Sequence, residues 1–98
     1  MGEPKITIIL FWMPGCQGCE ELKPTFIKLM KETRIKNLIF KIINVNEEDS
    51  SMYNITAVPT VVVLGGNSII QSACGISTEG LYKLVKWHIS HNLSTVGH

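Results

Sequence analysis

Charge is scarce in this sequence. Asp, Glu, Lys and Arg make up 17% of its 98 residues, and nine bases against eight acids leave a net charge of +1. So thin and even a balance lacks the basic footprint that a phosphate backbone demands and the like-charged run of an acidic tail, so no nucleic-acid partner is expected. Long apolar runs are missing as well. The longest, Ile6 to Met13, is interrupted by Thr7 and falls far short of the roughly 20 residues a membrane-spanning helix needs, so no membrane partner is expected either. Gly2, Glu3 and Pro4 open the chain without the basic start of an export signal, and no small-residue cleavage site follows the apolar run. Gly2 does not begin a myristoylation signal, because the sixth residue is Ile6. Cysteines number three, an odd count that a disulfide-stapled secreted domain would not show. These absences point to a reducing, cytoplasmic compartment, where a close cysteine pair reads as catalytic or metal-binding rather than structural. The N-x-S/T triplets at Asn54 and Asn92 read as chance occurrences in a chain with no visible export address.

What is present is enough apolar material for a core. Hydrophobic residues make up 45%, a globular composition, and the length suits one domain over residues 1–98, expected to act as a monomer. Lys5 to Trp12 is apolar and β-branched and reads as a strand buried on both faces. Pro14 and Gly15 break it. From Gln17 to Thr33, Cys19, Leu22, Phe26, Leu29 and Met30 recur on one helical face, while Glu20, Glu21, Lys23, Lys28, Lys31 and Glu32 fill the other. Pro24 inside that helix predicts a kink. Leu38 to Val45 reads as a second strand, Glu47 to Asn54 as a brief helix, Thr60 to Leu64 as a third strand, and Ile69 to Ala73 as a fourth across a turn at Gly65 to Ser68. Ser77 is placed to cap a last helix with Glu79 in its first turn and Leu81, Leu84, Val85 and Ile89 as its stripe. The expected architecture is α/β: a four-stranded mixed sheet flanked by helices in the order β-α-β-α-β-β-α, its first crossover right-handed.

The chemistry concentrates at Cys16-Gln17-Gly18-Cys19. This segment sits where a buried strand gives way to a helix. The first turn of a helix carries unpaired N–H groups and a partial positive charge, so a thiol there ionises more easily, and thiolate is the nucleophile. Cys16 lies in the loop and is the expected nucleophile; Cys19 opens the apolar helical face and is the expected, shielded resolver. Half of a zinc site is the competing reading, yet the other candidate ligands, Cys74, His88, His91 and His98, form no second close pair, so no metal and no cofactor beyond the cysteine pair is expected. His88 reads as a packed or edge histidine, and His91 and His98 as exposed.

The stretch Phe11-Trp12-Met13-Pro14-Gly15-Cys16-Gln17-Gly18-Cys19 resembles the active-site segment of the thioredoxin-like family, commonly F-W-A-x-W-C-G-P-C. Pro24 follows the second cysteine by five residues, where thioredoxins carry their helix proline. Ala57-Val58-Pro59-Thr60 resembles the loop whose proline is cis and faces the active site, and Gly75 matches the glycine after the last strand. The resemblance covers about residues 5 to 92 and lacks the extra N-terminal strand and helix of full-length thioredoxins, so the chain is nearest to compact thioredoxin- and glutaredoxin-type proteins. It implies that Cys16 attacks a substrate disulfide and Cys19 resolves the product. It also implies that Val58 and Pro59 shape the groove with Gly15, Gln17, Gly18 and Gly75, and that Trp12 packs beneath the loop. The implied activity is that of a protein-disulfide reductase, with disulfide-containing proteins as substrates and a thioredoxin-reductase-like protein or glutathione as electron donor.

Departures from the family pattern carry expectations of their own. Gln17-Gly18 replaces Gly-Pro between the cysteines, which frees the loop and alters the redox poise. Gly15 replaces a tryptophan and reduces the docking surface. Leu10 stands where the family has a buried aspartate, which leaves Cys19 to lose its proton to water or substrate. Glu20, where a base is common, and Glu21 oppose thiolate formation at Cys16. Cys74 reads either as a small buried hydrophobe or as an accessory thiol beside the groove. Three alternatives stay open: a glutathione-linked reductase, a metal or iron–sulfur protein using Cys16, and a binding module that has kept the fold.

Overall fold

The computed structural model describes residues 5–92; Gly2 and His98 lie outside them. Seven elements follow one another: β1 (Ile6–Trp12), α1 (Gln17–Glu32), β2 (Leu38–Asn44), a 3₁₀ turn (Ser51–Tyr53), β3 (Thr60–Gly65), β4 (Ser68–Cys74) and α2 (Thr78–Asn92). The strands form one sheet in the order β2-β1-β3-β4. β1 runs parallel to β2, Ile6 opposite Leu38 and Trp12 opposite Asn44. β3 lies antiparallel to β1 on its other side, and β4 antiparallel to β3.

β1 is central, and its alternation divides the core. Ile6, Ile8 and Leu10 point to the face covered by both α-helices, where they meet Leu22, Phe26 and Leu29 of α1 and Leu81, Leu84 and Val85 of α2. Ile9 and Phe11 point to the opposite face with Val62. Among the described residues, no long helix covers that second face. The brief helix expected over Glu47 to Asn54 is a single 3₁₀ turn, and its Tyr53, tilted against Phe11 at 5.0 Å, closes the core there with Ile55 and Val58. The segment is too polar to extend further: Glu47, Glu48, Asp49, Ser50 and Ser51 supply no stripe to bury.

The helices begin and end where local chemistry requires. Thr33, expected as the last helical residue, is the C-cap of α1, its N–H donating to the Leu29 carbonyl at 2.8 Å. The Ser77 hydroxyl accepts the Gly80 N–H at 3.0 Å and caps α2. β4 is an edge strand, which leaves Ile69 and Ile70 exposed.

His88 of α2 is packed inward, only 2% exposed, and its Nε2 donates to Oε1 of Gln71 on β4 at 2.6 Å. His91, in contrast, stacks on the exposed Trp87 ring at 4.2 Å. Burial holds His88 below the ordinary histidine pKa, and the neighbouring His91 pushes it the same way. The unfolded chain therefore binds the proton first. Stability is full above the unfolded value of about 6.5 and falls as pH drops from there toward the folded value. Urea midpoints at pH 7.5 and 5 should drop more for the wild-type chain than for His88→Gln; equal drops would remove His88 as the cause.

Candidate active site

The end of β1 and the start of α1 build the site. After Trp12 the chain turns through Pro14 and Gly15, the latter at φ +82°, a conformation that costs little only without a Cβ. Among the described residues, apart from its own chain neighbours, no atom lies within 4 Å of where a Gly15 Cβ would sit. Gly15→Ala is therefore expected to cost about 1 kcal/mol through the backbone alone, read as a lowered Tm; an unchanged Tm would show that the turn relaxes freely.

That turn delivers Cys16 to the N-cap of α1. Its backbone is extended, at φ −95° and ψ 112°, and its Sγ accepts the Cys19 N–H at 3.2 Å. One otherwise unpaired N–H of the first turn is thus aimed at the sulfur, an arrangement that favours negative charge there. Cys16 is joined to Cys19 as a disulfide, with Cα atoms 5.2 Å apart. Cys16 is partly exposed, whereas Cys19 has no exposed surface.

A second loop faces this pair. The Val58–Pro59 peptide bond is cis, and the Val58 carbonyl oxygen lies 3.7 Å from Cys16 Sγ, where the reduced thiol can donate to it. The Thr60 hydroxyl, donating to the Ala57 carbonyl at 2.6 Å, ties the loop down. A Cβ on Gly18 would lie 3.3 Å from Pro59 Cδ, so the first turn of α1 and the Pro59 loop approach closely enough that a side chain there would crowd the ring. The Pro59 carbonyl accepts the Gly75 N–H at 2.9 Å. Gly18, Pro59, Gly75 and Ile76 consequently frame one groove of about 360 Å³, with Glu21 on its rim. Gln17 is exposed in the first turn of α1.

Cys74 is a correction. The small-hydrophobe reading buries it, but it is exposed, because it ends the edge strand β4. It pairs with Thr60 and precedes Gly75, so it flanks the groove. Among the described residues, no three His, Cys, Asp or Glu side chains come together as a metal site, and no helix is long and apolar enough to cross a membrane.

The thioredoxin family model matches residues 2–87. The chain is a member of the thioredoxin family. It is 26% identical over 89 residues to Thioredoxin-T of Drosophila melanogaster, a match spanning 90% of this chain and 57% of that protein. It is 33% identical over 90 residues to Bloodstream-specific protein 2 of Trypanosoma brucei brucei, spanning 88% of this chain but 18% of that longer protein. The solved thioredoxin of Fasciola hepatica superposes with a TM-score of 0.76 at 24% identity, over 88% of this chain and 83% of the other; that likeness speaks for the fold. The thioredoxin-family site here has Leu10 fully buried in the helix-side core, so β1 brings no carboxylate to Cys19.

One further side chain joins the site. The composition of α1 puts Lys23 on its solvated face, yet its Nζ stands 3.5 Å from the centroid of the Trp12 ring. The spacing carries only part of the signal, the nearness to Cys19 and not the Trp12 ring. Lys23 lies four residues after Cys19, one helical turn away on the same side.

Proposed function

We propose that this chain is a thiol–disulfide oxidoreductase that reduces protein disulfides through Cys16 and Cys19. The observation that carries the reading is Cys16 itself. It caps α1, accepts the Cys19 amide, and stands bridged to a fully buried partner opposite cis Pro59. In the reduced protein, the Cys16 thiolate attacks one sulfur of a substrate disulfide, expelling the other as thiolate and forming a mixed disulfide. Cys19 then loses its proton and attacks Cys16, releasing the second substrate thiolate and closing the Cys16–Cys19 bridge. Each turnover oxidises the pair by two electrons and reduces one substrate disulfide.

The groove between Gly18, Pro59 and Gly75 suits an extended substrate segment, with the Val58 backbone, Gly15, Gln17 and Trp12 around the sulfur. Substrates are disulfide-bearing proteins, and a thioredoxin-reductase-like protein or glutathione returns the electrons. We assign a reducing compartment, the cytoplasm, on the odd cysteine count and the exposed Cys74 thiol, and a single domain acting as a monomer without a further cofactor. The test is reduction of insulin disulfides with dithiothreitol as donor, followed as turbidity of the released chain. The onset should come several-fold sooner with catalytic amounts of the protein; an onset equal to that of dithiothreitol alone contradicts the reading.

A further inference from the structure

The buried resolver needs a way to lose its proton. Cys19 has no exposed surface, and desolvation favours its neutral thiol. A thiol does not close the bridge; a thiolate does. β1, which passes beneath the site, offers Leu10, Phe11 and Trp12 and no ionisable group. A cavity of about 580 Å³ nevertheless reaches Cys19, and its walls are Trp12, Glu20, Lys23, Pro24 and Ile27. Only two of those side chains carry charge. Glu21 lines the separate groove beside Gly18 and Pro59 instead.

The two charges are held differently. Glu20 is exposed, whereas Lys23 is half-buried, its ammonium 3.5 Å above the Trp12 ring. The negative ring face attracts the cation and covers one side of it from water, which strengthens its field within the cavity. Pro24 contributes no N–H to the wall, and Ile27 is apolar. A pocket with one oriented cation in its wall therefore lies against the residue whose thiol must ionise in the core.

We infer that Lys23 is a positioning residue for the resolving step: stacked on Trp12, it draws Cys19 into its thiolate form, and the proton leaves to water through this cavity while Glu20 opposes the effect. This rests on the dithiol reading of Cys16 and Cys19. It adds the group that drives the second half of the exchange in the absence of a carboxylate on β1.

A stopped-flow experiment with 5,5′-dithiobis(2-nitrobenzoate) separates the two halves, run on fully reduced protein in a Cys74→Ser background that removes the exposed third thiol from the parent chain and every variant. Cys16 attacks the reagent and releases one thionitrobenzoate; Cys19 then displaces the second as the bridge closes, so two phases of colour appear. In Lys23→Met the second phase should slow roughly threefold to tenfold at pH 7, with its acid limb moved to higher pH. Lys23→Arg, which keeps charge and stacking, should restore the wild-type rate. Glu20→Gln should move the acid limb the other way, a change of sign that loss of packing alone does not produce. Lys23→Gln serves as a second neutral variant should Met perturb folding, checked by circular dichroism. A second phase indifferent to charge at position 23, or Arg behaving like Met, overturns the inference. Absence of the first phase in the wild-type protein overturns the dithiol reading instead.

Discussion

Cys16→Ser should abolish disulfide reduction, a loss of roughly a thousandfold or more in the insulin assay, because a hydroxyl does not ionise near neutral pH and a thiolate is the attacking group. The substitution is nearly isosteric, and the serine oxygen can take the Cys19 N–H as serine does at any helix N-cap, so the fold should be kept. The companion Cys19→Ser separates the two roles. Its Cys16 still attacks, but nothing within the site closes the bridge, so the protein should accumulate as a mixed disulfide with its substrate, visible as a covalent adduct by mass spectrometry and released by excess dithiothreitol. Residual wild-type-like turnover in Cys16→Ser, or an adduct carried on Cys74, would show that the nucleophile has been misassigned.

Phe26→Ala should carry the largest cost in stability. Phe26 is fully buried on the inner face of α1, meets Phe40 of β2 edge-on at 5.6 Å between ring centroids, and lies among Leu22, Leu29, Ile8 and Leu10. Truncation removes the apolar surface of one ring and opens a cavity that a packed sheet does not refill, a loss of about 3–5 kcal/mol. Against a total of roughly 5–15 kcal/mol for an ordinary domain, a large share of the molecules would unfold at modest urea. The measurement is the urea midpoint with the slope held common. A shift worth less than about 1 kcal/mol would mean that α1 is not anchored to β1 and β2 through this ring, and with it that the position of Cys16 is set by something other than the core.

Much of the site was legible because its chemistry is local in sequence. Cys16 and Cys19 share one turn of helix, the break at Pro14-Gly15 fixes where that helix starts, and both ends follow from the apolar periodicity of Ile6–Trp12 and Gln17–Glu32. The sheet could be drawn from the same periodicity, since a strand–helix–strand run followed by a Gly-rich hairpin leaves few topologies. The Val58–Pro59 bond was anticipated from resemblance alone; nothing in the residues Ala57 to Thr60 sets a cis bond apart from a trans one. What stayed hidden depends on tertiary neighbours. Whether Cys74 is buried turns on β4 being the outer strand, which no local pattern states. Lys23 has the composition of a solvated helix face, and only the placement of Trp12 at the end of β1 brings the ring beneath its ammonium. The stretch Glu47 to Asn54 reads as a brief helix, but without an apolar stripe it closes as one 3₁₀ turn.

The most direct test of the account is to equilibrate the protein in glutathione and dithiothreitol buffers of graded potential, trap the free thiols with an alkylating reagent, and locate the label by peptide mass. A single two-electron transition confined to Cys16 and Cys19, at or below roughly −220 mV with Cys74 labelled throughout, is the predicted result and fits a reductase fed by a dedicated donor. A pair that takes the label at every potential, or a transition that runs through Cys74 instead, would contradict it.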